Sequence, residues 1–235
     1  MTVEEVLTEM EKMGSESTRK TYIKHGAKPP VFGVKVQDMK LIKKKTRNDL
    51  KLSLELYDSG VFDAMYLAGL ISKPKEMAKA QIQSWAGRAI FYWLSEYIVP
   101  WVASESNYSF ELAREWINSD NPTIVSSGWS TWSSMLMIKP NTEFDLIELT
   151  KLMESIPGTI QQSPDRVRYT MNGFVITAGS SVPELFDKAK EIGKKLGKVS
   201  VDLNGTACKV PSIEEYLDKV KSMNRIGHKK KTAFC

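Results

Sequence analysis

Apolar residues recur at three- and four-residue spacing along almost the whole chain. In EFDLIELTKLMESI (143–156), Phe144, Ile147, Leu149, Leu152 and Met153 form one stripe with a 3.6-residue period. Asn141 and Thr142 stand before it as N-cap residues. NYSFELAREWINSD (107–120) is amphipathic and ends in a polar turn, after which Pro122 can open the next helix. VFDAMYLAGLIS (61–72) is apolar on nearly every face, the pattern of a buried helix. The same reading places helices at about 2–13, 15–25, 35–46, 48–58, 61–72, 75–86, 88–103, 108–118, 122–137, 143–155, 164–179, 182–196 and 212–223. Connections are short and polar, so neighbouring helices should be antiparallel, and pairs recur roughly every 35 to 40 residues. The expected fold is all-α, a single helical-repeat solenoid over 1–235. A compact non-repeat helical domain is the alternative.

One segment departs from the helical period. In KVSVDLNGTACKVPS (198–212), Val199, Val201 and Leu203 alternate before Asn204-Gly205, a pair that tolerates the positive φ of a hairpin turn. A small hairpin or ordered loop is expected there, followed after the last helix by a basic tail at 225–235.

Composition adds that 42% of the 235 residues are hydrophobic, enough for a sizeable core. Two cysteines do not make a disulfide framework. The acidic, amphipathic N-terminus is unlike a secretory signal, and no apolar run approaches the roughly 20 residues that span a bilayer. A cytoplasmic protein without membrane contact is expected, and nothing points beyond a monomer. The net charge of +5 hides a segregation: −4 over residues 1–18, +9 over 19–51, −7 over 52–187 and +7 over 188–235. Two basic regions bracketing an acidic middle suggest a polyanionic partner.

AIFYWLSEYIVPW (89–101) sets five aromatics around one acid, Glu96. On a helix, Tyr92 and Trp93 lie one turn before Glu96 and share its face. Pro100 lacks the N–H that would bond the Glu96 carbonyl, so a kink is expected. Rings and a carboxylate together suit a delocalised cation; ordinary core packing is the competing reading. Trp129 and Trp132, one turn apart among serines, form a second aromatic group. Lys40, Lys43, Lys44 and Arg47 follow i, i+3, i+4, i+7 and make one positive stripe, a phosphate track or a solvated face. His25 and His228 stand apart, and no metal-ligand spacing, Walker loop, GxGxxG or GxSxG occurs. No cofactor or metal is expected.

Three stretches then resemble the DNA alkylation repair family, the AlkD-like DNA glycosylases built from HEAT-like repeats. FGVKVQDMKLIKK (32–44) resembles the family's FGVRVPDLRKLAK, FYWLSEYIVPWV (91–102) its WWDxVDxIxPxx, and RYTMNGFVITAGS (168–180) its RKAIGWALREY. The resemblance covers most of residues 15–196 and implies a HEAT-like solenoid whose concave basic surface holds duplex DNA. It implies excision of cationic N3- and N7-alkylated purines without base flipping. Anchored on Pro100, the family's catalytic Asp falls on Glu96 and its neighbouring Trp on Tyr92, beside Trp93. The later Trp falls on Phe174 and an Arg on Thr177, while no Arg occurs in 122–137. The implied site is Glu96, Tyr92 and Trp93 for catalysis. Trp129, Trp132 and Phe174 would contact the lesion or DNA. Lys35, Lys40, Lys43, Lys44, Arg166, Arg168, Arg225, Lys229, Lys230 and Lys231 would bind phosphates. A DNA-binding member without catalysis, or a scaffold for a protein partner, are the other readings.

Overall fold

The computed structural model describes residues 1–203 and 205–234. In chain order the α-helices are α1 (Val3–Met13), α2 (Glu16–Lys24), α3 (Val36–Thr46), α4 (Leu50–Asp58), α5 (Phe62–Ile71), α6 (Lys79–Gly87), α7 (Val99–Glu105), α8 (Ser109–Trp116), α9 (Pro122–Ile138), α10 (Leu146–Thr159), α11 (Asp165–Ser181), α12 (Phe186–Leu196) and α13 (Ile213–Ser222). Side-chain caps start many of them, among them Thr2, Ser15, Asp49, Asn121 and Ser212. α10 departs from expectation here. Asn141 and Thr142 belong to a separate 3-10 turn, and Asp145 is the cap, accepting from the Ile147 N–H at 2.8 Å. Leu149 and Met153 of the expected stripe are buried, but Ile147 is exposed.

The helices stack in two layers. α3, α5, α7, α9, α11 and α13 pack one on the next, and α4, α6, α8, α10 and α12 cover one side of that row. This is the expected solenoid of helix pairs. Ion pairs join successive even helices along their exposed edge. Arg88, just after α6, meets Asp58 of α4 at 2.7 Å, and Lys79 meets both Glu111 and Glu115 of α8 at 2.8 Å. Arg114 grips Glu148 with two bonds of 2.6 and 2.7 Å, and Lys188 reaches Glu154 at 3.2 Å. Each exposed pair is worth little alone. Together they draw the acids of the middle region to the even-helix side.

Two features fix the odd layer. The first is the break before α7. With no N–H on Pro100, the chain widens into one π turn, Leu94–Ile98, in which the Val99 N–H bonds back to the Leu94 carbonyl. The expected kink is therefore a π turn, and it carries Glu96. It seats closely on α5 because residue 69 is glycine: a Cβ there would lie 2.5 Å from Ile98 Cγ2. The second is Asp63, fully buried in α5, whose carboxylate accepts the backbone N–H groups of Phe32, Gly33 and Val34 at 2.6, 3.1 and 2.7 Å. Burial pushes the Asp63 carboxyl upward, against the pull of these bonds. Gly33 has φ +82°, and a Cβ there would meet the Arg19 nitrogen at 2.5 Å. The FGV segment is thus a structural clasp that sets where α3 begins.

The segment 198–212 contains no strand among its described residues. Of the two expectations the ordered loop is realised: Thr206 N–H bonds the Leu203 carbonyl at 3.1 Å, Asp202 N–H bonds Asp165, and Asn172 donates to the Pro211 carbonyl at 3.0 Å. Asn204 lies outside the described residues. The tail runs back across the helix ends. Gly227 N–H bonds Ser180, Lys230 N–H bonds Met137, and Ala233 N–H bonds the Glu105 carboxylate at 2.8 Å. No helix is long and apolar enough to cross a membrane among the described residues.

Asp63→Ala leaves three backbone donors without their acceptor. It should lower unfolding free energy by about 3 kcal/mol or more, read as a shift of the urea midpoint. An unchanged midpoint would mean that other contacts hold the clasp.

Candidate nucleic-acid interface

The π turn points Glu96 across to the first turn of α11, where Arg166 meets it. Arg166 Nε donates to Glu96 Oε1 at 2.6 Å and a terminal nitrogen donates to Oε2, a bidentate pair. The Glu96 side chain is 2% exposed. The Arg166 guanidinium carbon lies 4.0 Å from the Tyr92 ring centroid and 4.6 Å from that of Tyr169. A planar cation thus stands between two phenol rings with its edge on a carboxylate. That is the arrangement expected for a cationic ligand, filled by the chain's own arginine. Burial pushes the Glu96 carboxyl up to about 7, with the hydrogen bonds and charge of Arg166 opposing the rise. His25 Nδ1 lies 3.1 Å from the Tyr92 hydroxyl and steadies that ring from the end of α2.

Beside this pair opens a pocket of about 380 Å³. Tyr66, Trp93, Tyr97 and Trp101 supply ring surface, Arg166 and Tyr169 one wall, and Leu203, Thr206 and Cys208 of the 198–212 loop another. Glu96 also borders a shallower recess of about 150 Å³, floored by Ser130, Ser133 and Ser134 of α9 and by Thr170, Gly173 and Thr177 of α11. Small side chains there keep the odd-helix face low.

Several expected positions are elsewhere. Trp129, Trp132 and Phe174 are buried: Trp129 packs on Phe174 with ring centroids 5.0 Å apart, and Trp132 meets Phe110 edge-on at 5.9 Å. As core residues they cannot be the expected surface contacts. The serines beside the indoles face the recess instead. Arg166 is held by Glu96, and Arg168 pairs with Asp165 at 2.5 Å. Lys229 donates to the Leu136 carbonyl at 2.6 Å at the end of α9, and burial pushes its ammonium downward. These three cations of the expected phosphate set are engaged internally. Lys35, Lys40, Lys44, Arg225, Lys230 and Lys231 are exposed and Lys43 is half-buried, all without an acidic partner among the described residues. Lys40, Lys43, Lys44 and Arg47 line one groove with Asn48 and Leu70. Sequence reasoning missed Tyr169, whose spacing from Arg166 was a usable signal, and Tyr66 and His25, for which nothing local pointed to this site.

The acids of the odd layer from α5 to α11 follow one rule. Asp63, Glu96, Glu105 and Asp165 are each bonded to a partner within the chain, and α9 carries no charged residue. The face they would otherwise make negative is therefore electrically quiet beside the α3 stripe. Among the described residues no group of three or more His, Cys, Asp or Glu could hold a metal ion.

The sequence model of the DNA alkylation repair enzyme family matches residues 6–195. Uncharacterized protein Lmo0209 of Listeria monocytogenes is 30% identical over 231 residues, covering 96% of this chain and all of the relative. Uncharacterized protein Lin0241 of Listeria innocua is 30% identical over 233 residues, covering 97% and all of the relative. A solved structure, described as a new family of proteins related to the HEAT-like repeat DNA glycosylases with affinity for branched DNA structures, superposes with a TM-score of 0.92. It is 36% identical, and the match covers the whole of both chains.

The raised Glu96 carboxyl has a consequence for stability. Its value of about 7 exceeds the ordinary 4.5, so the folded chain binds this proton more tightly than the unfolded one. The stabilisation is complete below 4.5 and is lost as pH rises through about 7. Wild type should gain stability relative to Glu96→Gln as the pH falls from 8 toward 4.5. Urea unfolding of both proteins across that range checks this, and a pH-independent difference would contradict it.

Proposed function

We propose that this chain, which belongs to the DNA alkylation repair family, binds duplex DNA by shape and charge, prefers branched DNA, and does not use Glu96 for base excision. The observation that carries this reading is the Arg166–Glu96 pair. Glycosidic cleavage develops positive charge on the sugar, and a carboxylate helps when its own charge is free to face it. Glu96 has both oxygens bound by the half-buried Arg166 guanidinium, and the rings that could hold a cationic base already hold Arg166. Thr177 stands where the family resemblance places an Arg, and α9 supplies none. The binding apparatus is better preserved: the α3 stripe is unpaired and the odd-layer acids from α5 to α11 are bonded. The relative with a TM-score of 0.92 is described by its affinity for branched DNA.

Excision of cationic N3- or N7-alkylated purines is the second reading. It draws on one observation, that Glu96 borders the recess floored by the α9 serines. It requires Arg166 to leave the carboxylate.

Mobility-shift titrations at low salt, with a four-way junction and a linear duplex of the same sequence, test the proposal. Tighter binding to the junction is expected. Replacing Lys40 and Lys44 with Ala should weaken binding and reduce the slope of log K against log salt by about 2. Equal affinity for junction and linear DNA would remove the branched preference, and an unchanged slope would remove α3 from the interface.

A further inference from the structure

We propose that the aromatic pocket beside Arg166 receives one unstacked nucleobase, with the phosphates of its strand running along α3. This rests on the reading that the protein binds branched DNA, whose crossover interrupts the continuous stack and makes a base there the easiest to unstack. A volume of about 380 Å³ falls in the range of small-ligand sites. Trp93 and Tyr97, which line the pocket outside the Arg166 sandwich, offer ring surface of the kind that holds single bases, and the buried Trp101 backs Tyr97. The Tyr97 and Trp101 centroids are 5.8 Å apart and tilted by 59°, and Tyr97 is exposed. Arg166 adds specificity. Two of its N–H donors serve Glu96, and a guanidinium has five. Arg166 lines the pocket, and donors not given to Glu96 are of the kind that suits the acceptor edge of a purine.

The second, independent observation is the register of α3. Val36 lines the pocket, and Lys40, Lys43, Lys44 and Arg47 follow it at i+4, i+7, i+8 and i+11, on the same side of the helix. From Val36 to Arg47 the helix rises about 16 Å, long enough to meet several phosphates of a strand leaving the pocket. An apolar ligand would have no use for a cationic track that begins at the mouth of an aromatic site.

The test compares an intact four-way junction with one whose crossover nucleotides carry no base, using wild type and Tyr97→Ala. Wild type should bind the intact junction about tenfold or more tightly than the abasic one. Tyr97→Ala should lose most of that difference while binding the abasic junction like wild type. Melting curves of the variant establish that it is folded, and the wild-type comparison needs no variant at all. Equal or tighter wild-type binding to the abasic junction overturns the pocket assignment. If junctions are still preferred to linear duplex in that case, the broader reading stands. If intact and abasic junctions differ but linear duplex binds as well as either, the broader reading falls and the pocket stands. Absence of binding to any of these DNAs overturns both.

Discussion

Glu96 and Arg166 stand 70 residues apart in the chain and meet as a bidentate pair behind two tyrosine rings. Much of the site follows from that contact. A carboxylate this deeply buried needs a partner that satisfies both oxygens, because an uncompensated charge in such a place costs several kcal/mol. Arg166 supplies the charge and the geometry, and Tyr92 and Tyr169 supply faces that tolerate its desolvation. The π turn forced by Pro100 aims Glu96 at α11, and Gly69 lets that turn sit on α5. One interaction therefore ties the two halves of the odd layer and fills the ring-lined place that the sequence suggested for a cationic ligand.

The same economy governs charge across the molecule. The acidic middle of the sequence does not make an acidic binding face. Its glutamates on α8 and α10 bridge neighbouring even helices, and the four acids of the odd layer from α5 to α11 bond within the chain. Beside that stretch of the odd layer the α3 stripe is cationic and without acidic partners. This division of sign between two layers is a physical basis for holding a polyanion on one side only.

The helices and their order were legible because apolar periodicity and capping residues are local properties. The α3 stripe was legible for the same reason, and Pro100 announced a break near Glu96. What was hidden is tertiary. Trp129 and Trp132 look like surface rings among serines, but the serines line the recess and the indoles turn to the core. Lys229 looks like part of a basic tail and in fact donates to a helix end at Leu136. Above all, the acid between rings read as waiting for a ligand, because no spacing rule links residue 96 to residue 166. The alternating segment at 198–212 suggested a hairpin, yet its backbone is taken up by Asp165 and Asn172 and it lines the pocket as a loop.

The central claim is that Arg166 holds Glu96 out of chemistry. Release of 7-methylguanine from methylated duplex DNA, measured side by side for wild type and Glu96→Gln, tests it most directly. The account predicts that both proteins release base at the same background level. Release by wild type that is abolished in Glu96→Gln would contradict it.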